Sequence, residues 1–171
     1  MNGVERIYEE FNSLIVLASN KGDISQIITI NDIFKKILTL SAASYFETEI
    51  CRILEETISN RSNDDKLVLN FVKNKAIKRQ YHTFFAWNSK SANSFFGLFG
   101  DDFKKSVTMD IKSSEELDDS IMAFMDIGSS RNDMVHTDFA NFQLNKTPGD
   151  VYEQYKKAHK FIEYIEEKFK E

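Results

Sequence analysis

Apolar residues along this chain recur at steps of three and four rather than two, so the pattern predicts helices and no sheet. Val4, Ile7, Phe11, Leu14 and Ala18 mark a first amphipathic helix that Asn20 and Gly22 end. Asn31 is a candidate N-cap for a long second helix carrying Ile33, Phe34, Ile37, Leu38, Ala42, Tyr45, Phe46, Ile50, Ile53, Leu54 and Ile58, with Asn60-Arg61-Ser62-Asn63 at its end. Asn63 or Asp64 then caps a third helix through Leu67, Leu69, Phe71 and Val72. Its end is the one dense basic cluster, Lys73-Asn74-Lys75-Ala76-Ile77-Lys78-Arg79. Cations suit a helix C-terminus, where the macrodipole is negative.

Residues Tyr81 to Gly100 are less regular, with His82, Phe84, Phe85, Trp87, Phe95, Phe96 and Phe99 broken by Asn88-Ser89-Lys90-Ser91. They read as a packed connection with a short helix. Glu115 to Phe139 returns to helical spacing, with Leu117, Ile121, Phe124 and, past Gly128, Val135 on one stripe; Arg131 falls on the same stripe if the helix is continuous. Thr147-Pro148-Gly149-Asp150 is a turn and helix start, and Val151, Tyr155, Ala158, Ile162, Ile165 and Phe169 carry a closing helix to the C-terminus. The pattern predicts an all-α bundle of about five or six helices.

Composition agrees. The 171 residues include 42% hydrophobic positions and fifteen Phe, enough for one sizeable core, so a single domain over residues 1–171 is expected. Six Gly and one Pro leave little room for hairpin turns. The one cysteine, Cys51, cannot form an internal disulfide, and with three scattered His it is too few soft ligands for structural zinc; no metal and no cofactor are expected. Cys51 itself reads as packed core, and a reducing cytoplasm is the expected compartment. The N-terminus lacks a signal pattern and no run approaches the length of a membrane span, so no membrane partner is expected. A net charge of −5 argues against a surface that coats nucleic acid but leaves room for a local basic strip.

Phosphate-binding glycine loops, nucleophile elbows, His-x3-His pairs and Cys-x2-Cys pairs are all missing. The acidic pairs Asp101-Asp102, Glu115-Glu116 and Asp118-Asp119 sit beside helix starts, where the dipole stabilises carboxylates. His82 and His159 read as structural or solvated, and Met122, Met125 and Met134 as helix packing. Lys73, Lys75, Lys78 and Arg79, followed by Tyr81, His82, Phe84 and Trp87, mix charge with aromatics as single-strand RNA binders do, although a helix end beside a core gives the same pattern.

What remains is Ser129-Ser130-Arg131-Asn132-Asp133-Met134-Val135-His136. An arginine on an apolar stripe needs an anion: a partner, a ligand or an internal carboxylate. Asn132 and His136 are one helical turn apart, so the amide could select the imidazole tautomer. A second geometry is open, in which Gly128 breaks the helix and Ser130 with Asp133 forms a capping box, placing Arg131 and Asn132 in a first turn suited to anions.

The segment Arg131-Asn132-Asp133-Met134-Val135-His136 resembles the Arg-x4-His motif of the HEPN superfamily, including the frequent Asn after Arg. Phe95-Phe96-Gly97-Leu98-Phe99-Gly100 and the acid-bearing Ser44-Tyr45-Phe46-Glu47 are similar to the RiboL-PSP-type branch. The resemblance implies a helical homodimer acting as a metal-independent RNA endonuclease, with Arg131 and His136 catalytic. Asn132 and Glu47 would support them, Glu47 by pairing with Arg131, and Lys73, Lys75, Lys78 and Arg79 would guide RNA. Products would carry 2′,3′-cyclic phosphate and 5′-hydroxyl ends. The family includes toxin–antitoxin nucleases and phage-defence effectors, so an antitoxin or defence partner is implied as well. It also includes catalytically inactive interaction modules that bind a protein or nucleotide, which is the alternative reading. Asp138 stands where one toxin branch carries Tyr, so regulation through that tyrosine is not implied.

Overall fold

The computed structural model describes residues 2–171 and is all-α, with no strand among them. Eight α-helices occur, more than the pattern predicts, because the connection and the segment after it are themselves helical.

Helix α1, Gly3–Asn20, opens with a capping box: the Asn2 side chain accepts from the amides of Val4 and Glu5, and the Glu5 carboxylate accepts from the Asn2 amide. It buries Val4, Phe11 and Ala18, a narrow stripe at a spacing of seven, and turns at Gly22, whose φ of +67° suits glycine. Helix α2 is Ile24–Arg61. It starts at an Asp23 cap, well before Asn31, which lies inside the helix with its side-chain amide donating to the Ile27 carbonyl. The sequence expectation is corrected here because Asp23 follows the Gly22 turn directly, and a cap there serves the whole run. The 38 residues reach about 57 Å at 1.5 Å per residue. Burial begins only at Lys36, so the first three turns of α2 project past the core.

Asp65, not Asn63 or Asp64, caps α3, Lys66–Val72. Asn63 and Asp64 both have positive φ, a tight reversal rather than a cap. The short α3 buries nothing, and its Leu67, Val68 and Phe71 face solvent. The basic cluster is not the end of α3: Lys73–Ile77 forms a π-helical turn pinned by buried Ile77. The irregular stretch contains α4, Tyr81–Phe84, and α5, Asn93–Gly97. Both insert Phe side chains into the core. Helix α6, Asp101–Ser113, follows Gly100 at φ +93°, then α7, Glu115–His136, and α8, Pro148–Lys170. Thr147 and Asp150 close a second capping box with Pro148 at the first turn of α8.

The core lies where α2, α7 and α8 meet. Phe124 of α7 stands at its centre, within 5.5 Å ring-to-ring of Phe46 on α2, 5.0 Å of Phe161 on α8 and 4.9 Å of Phe85. The acidic pairs do open helices: Asp101 and Asp102 start α6, while Glu115, Glu116 and Asp118 start α7. Glu116 is salt-bridged to Lys160 of α8. No helix among the described residues is long and apolar enough to cross a membrane.

Candidate functional site

Helix α7 is continuous through Gly128, so the capping-box alternative at Ser130 and Asp133 does not form. Gly128 serves packing instead. A Cβ placed there would lie 1.9 Å from the Trp87 ring, so only glycine lets the indole close onto the helix. Continuity carries Arg131 on the inward side of α7 and leaves it half-buried, as the stripe predicts. Val135, expected on that stripe, is instead exposed, and its neighbour Met134 is buried.

Arg131 Nη1 donates to Asn132 Oδ1 at 3.0 Å. Asn132 therefore orients the arginine and not His136, correcting the one-turn pairing expected from spacing. Being adjacent in sequence, the amide reaches the guanidinium before it reaches down a full turn. His136 closes the last turn of α7, exposed and without a hydrogen-bond partner among the described residues. Beyond it, Asp138 accepts from the Ala140 amide and from the Asn141 side chain, a turn-building role.

Arg131 and Asn132 line a cleft of about 130 Å³ together with Ala43, Glu47, Arg79, Tyr81, His82, Trp87 and Gly128. Glu47 of α2 lines the same cleft as Arg131, but the pairing between them that the resemblance implies is not among the ion pairs of the described residues. The phenol of Tyr81 senses both. Burial pushes its pKa well above the ordinary value, the Glu47 carboxylate adds to that, and Arg131 opposes it, so Tyr81 stays protonated. His136 is not among the lining residues. The cleft is thus rich in guanidinium and poor in carboxylate, and one copy of the chain presents its His136 elsewhere.

The basic strip divides. Lys73 is salt-bridged to Glu55 at 2.8 Å, whereas Lys75, Lys78 and Arg79 are exposed and have no ion pair among the described residues. Arg79 joins the Arg131 cleft, a juxtaposition that sequence separation hides. His159 is structural, as read: its Nε2 meets the Tyr45 hydroxyl at 3.0 Å and its Nδ1 meets Glu163 at 3.2 Å. Cys51 is half-buried inside α2, and burial raises its thiol pKa, with Glu47 and Glu55 adding to the effect.

A second feature is unforeseen from sequence. Leu17 is 58% exposed, Ile24 71% and Ile28 65%, and Ile33, Val135 and Phe139 are exposed as well. Buried Lys36 ties this end of α2 to the chain after α7, its Nζ donating to the carbonyls of Phe139 and Ala140 and pairing with Asp32 at 3.2 Å. Val135 and Phe139 thus flank His136 with exposed apolar side chains, and Lys36 ties the chain after α7 to α2 one turn beyond Ile33.

The chain belongs to the RiboL-PSP-HEPN family, whose model matches residues 5–171. No curated protein and no solved structure matches it.

Proposed function

We propose that residues 1–171 form one HEPN domain that acts as a homodimeric, metal-independent RNA endonuclease, in the manner of toxin or phage-defence nucleases. The observation that carries this reading is Arg131: a half-buried guanidinium in a cleft, held by a neutral amide rather than a carboxylate. Such a charge lacks an internal counter-ion and favours an external anion. A phosphodiester supplies one.

One copy offers a single motif histidine, and acid–base cleavage of RNA needs both a base and an acid. A second copy seated on the apolar surface beside His136 supplies the other. In this scheme His136 of one protomer takes the proton from the ribose 2′-hydroxyl, and the 2′-oxygen attacks phosphorus. The 5′-oxygen leaves with a proton from the partner's His136. Arg131 stabilises the charge that grows on the phosphoryl oxygens. The products are a 2′,3′-cyclic phosphate and a 5′-hydroxyl, and Asn132 keeps Arg131 aimed. Lys75 and Lys78 extend positive charge along the approach.

The exposed, unpartnered His136 also fits an interaction module that binds a protein or nucleotide without turnover. Incubation of purified wild type with RNA in EDTA, beside Arg131→Ala and His136→Ala, separates the two. The nuclease reading expects cleavage by wild type alone, with cyclic-phosphate ends.

A further inference from the structure

Arg79 is the least comfortable residue in the backbone near the site. It follows the π-helical turn Lys73–Ile77, closed by the Lys78 amide on the Lys73 carbonyl at 2.7 Å, and it sits at φ +63°. That left-handed region favours Gly or Asn, and an arginine there costs backbone energy. Both features recur where a side chain must be aimed at a site. Here the aimed side chain lines the Arg131 cleft and makes no hydrogen bond or ion pair among the described residues.

Two guanidiniums therefore share a cleft of about 130 Å³ with one carboxylate, Glu47. They repel each other until an anion enters. The protonated phenol of Tyr81 adds a donor, and His82 lines the same wall. Ligand pockets for whole small molecules run from about 300 Å³ upward, so this one suits a phosphate group rather than a nucleoside. The larger groove across Trp87, about 690 Å³, is a poor alternative for an anion. Asp119, Asp126, Asp150 and Glu153 outnumber its three lysines, and two of those lysines are already paired, Lys146 with Asp126 and Lys157 with Asp119.

We infer that Arg79 and Arg131 together form a phosphate-binding cleft, in which Arg79 grips the same RNA phosphate whose charge Arg131 offsets. The choice of RNA rests on the ribonuclease reading; the preference for phosphate rests on the cleft itself. A free phosphate or a mononucleotide presents the same chemistry, and the test separates these sources.

Arg79→Asn removes the guanidinium but keeps a residue at ease in the left-handed region, so the melting temperature should not fall. Anisotropy of a 2′-O-methyl RNA oligonucleotide, which cannot be cleaved through its 2′-oxygen, would be titrated across salt for wild type and Arg79→Asn. Arg79→Asn is expected to weaken binding about tenfold and to lower the log–log salt slope by about one. Thermal stabilisation by inorganic phosphate or adenosine monophosphate, present in wild type and lost in Arg79→Asn without oligonucleotide binding, would keep the cleft and assign it to free phosphate. Equal affinity and slope for wild type and Arg79→Asn, with no stabilisation by phosphate, would overturn the inference. Cleavage that is indifferent to Arg79 would do so while leaving the nuclease standing. Arg79-dependent phosphate binding with no cleavage of any RNA would do the reverse.

Discussion

Trp87 lies against Gly128 so closely that a methyl group on that glycine would fall inside the indole's van der Waals shell. The contact has two consequences. It keeps α7 unbroken through the motif, and it stands the indole between the Arg131 cleft and the larger groove, both of which it lines. Trp87 Nε1 donates to the His82 carbonyl at 3.1 Å, so the same ring fixes the segment that carries His82.

Gly128→Ala should therefore destabilise the fold by about 1–3 kcal/mol through overpacking, although alanine is the better helix former. Trp87 is the one tryptophan in the chain, so its emission reports the displacement directly. Adding Trp87→Leu should recover part of the loss, and a Gly128→Ala protein as stable as wild type would contradict the contact.

Asn132→Ala removes the amide that holds Arg131 and should lower RNA cleavage by up to about 100-fold, as misplacing a positioned group by about 1 Å does. Stability should change little, within about 0.5 kcal/mol. Cleavage assays beside thermal melts read both quantities. If Asn132 instead served His136, the pH profile of cleavage would shift, and no such shift is expected.

The apolar surface gives a prediction about assembly. Leu17→Glu with Ile28→Glu places charges on side chains that the single protomer leaves exposed, so monomer stability should be nearly unchanged. Sedimentation velocity should show a dimer for wild type and a monomer for the double variant, with cleavage lost although Arg131 and His136 are intact. A wild-type monomer, or an active monomeric variant, would contradict the two-copy site.

Acid stability should depend on how α6 is held to α8. The Tyr164 hydroxyl donates to Asp110 at 2.7 Å and Lys168 pairs with the same carboxylate at 3.1 Å. Tyr164 is the larger cause and Lys168 a further one, and together they outweigh burial, holding the Asp110 pKa below its ordinary 3.8. The contribution is therefore complete above pH 3.8 and is lost as pH falls through the lower folded value. With partly exposed groups it is about 1 kcal/mol or less. Asp110→Asn should melt below wild type at pH 7 and converge with it as pH falls below 3.8 and the carboxylate is protonated in the folded protein too. A gap that is constant with pH would mean the carboxylate charge is not what holds α6.

The closing helix was legible because Thr147, Pro148 and Asp150 mark its start and its stripe is regular; Val151, Tyr155, Ala158, Ile162, Ile165 and Phe169 are all buried. Helix α6 escaped notice although Phe103, Val107 and Ile111 recur every four residues. Lysines and aspartates surround them, only Val107 is fully buried, and the polar contacts to α8 converge on the single residue Asp110. The start of α2 was misplaced because Asn31 looks like a cap in isolation, and isoleucines before it serve no core. At the site, the Arg131 stripe could be read from spacing, whereas Glu47 came only with the resemblance. Arg79 could not, since a π-helical turn and a left-handed residue carry no periodic signal and the cleft forms between segments distant in sequence.

The central claim is that two copies of Arg131 and His136 cleave RNA without a metal ion. The most direct measurement is incubation of wild type, Arg131→Ala and His136→Ala, each verified as a folded dimer, with mixed RNA in EDTA. The account predicts cleavage by wild type alone, leaving 2′,3′-cyclic phosphate ends, and no restored cleavage when the two inactive variants are mixed, since a mixed dimer holds one His136 where the scheme uses two. Three equally dimeric proteins that leave every RNA uncut would contradict it and assign the domain to partner binding.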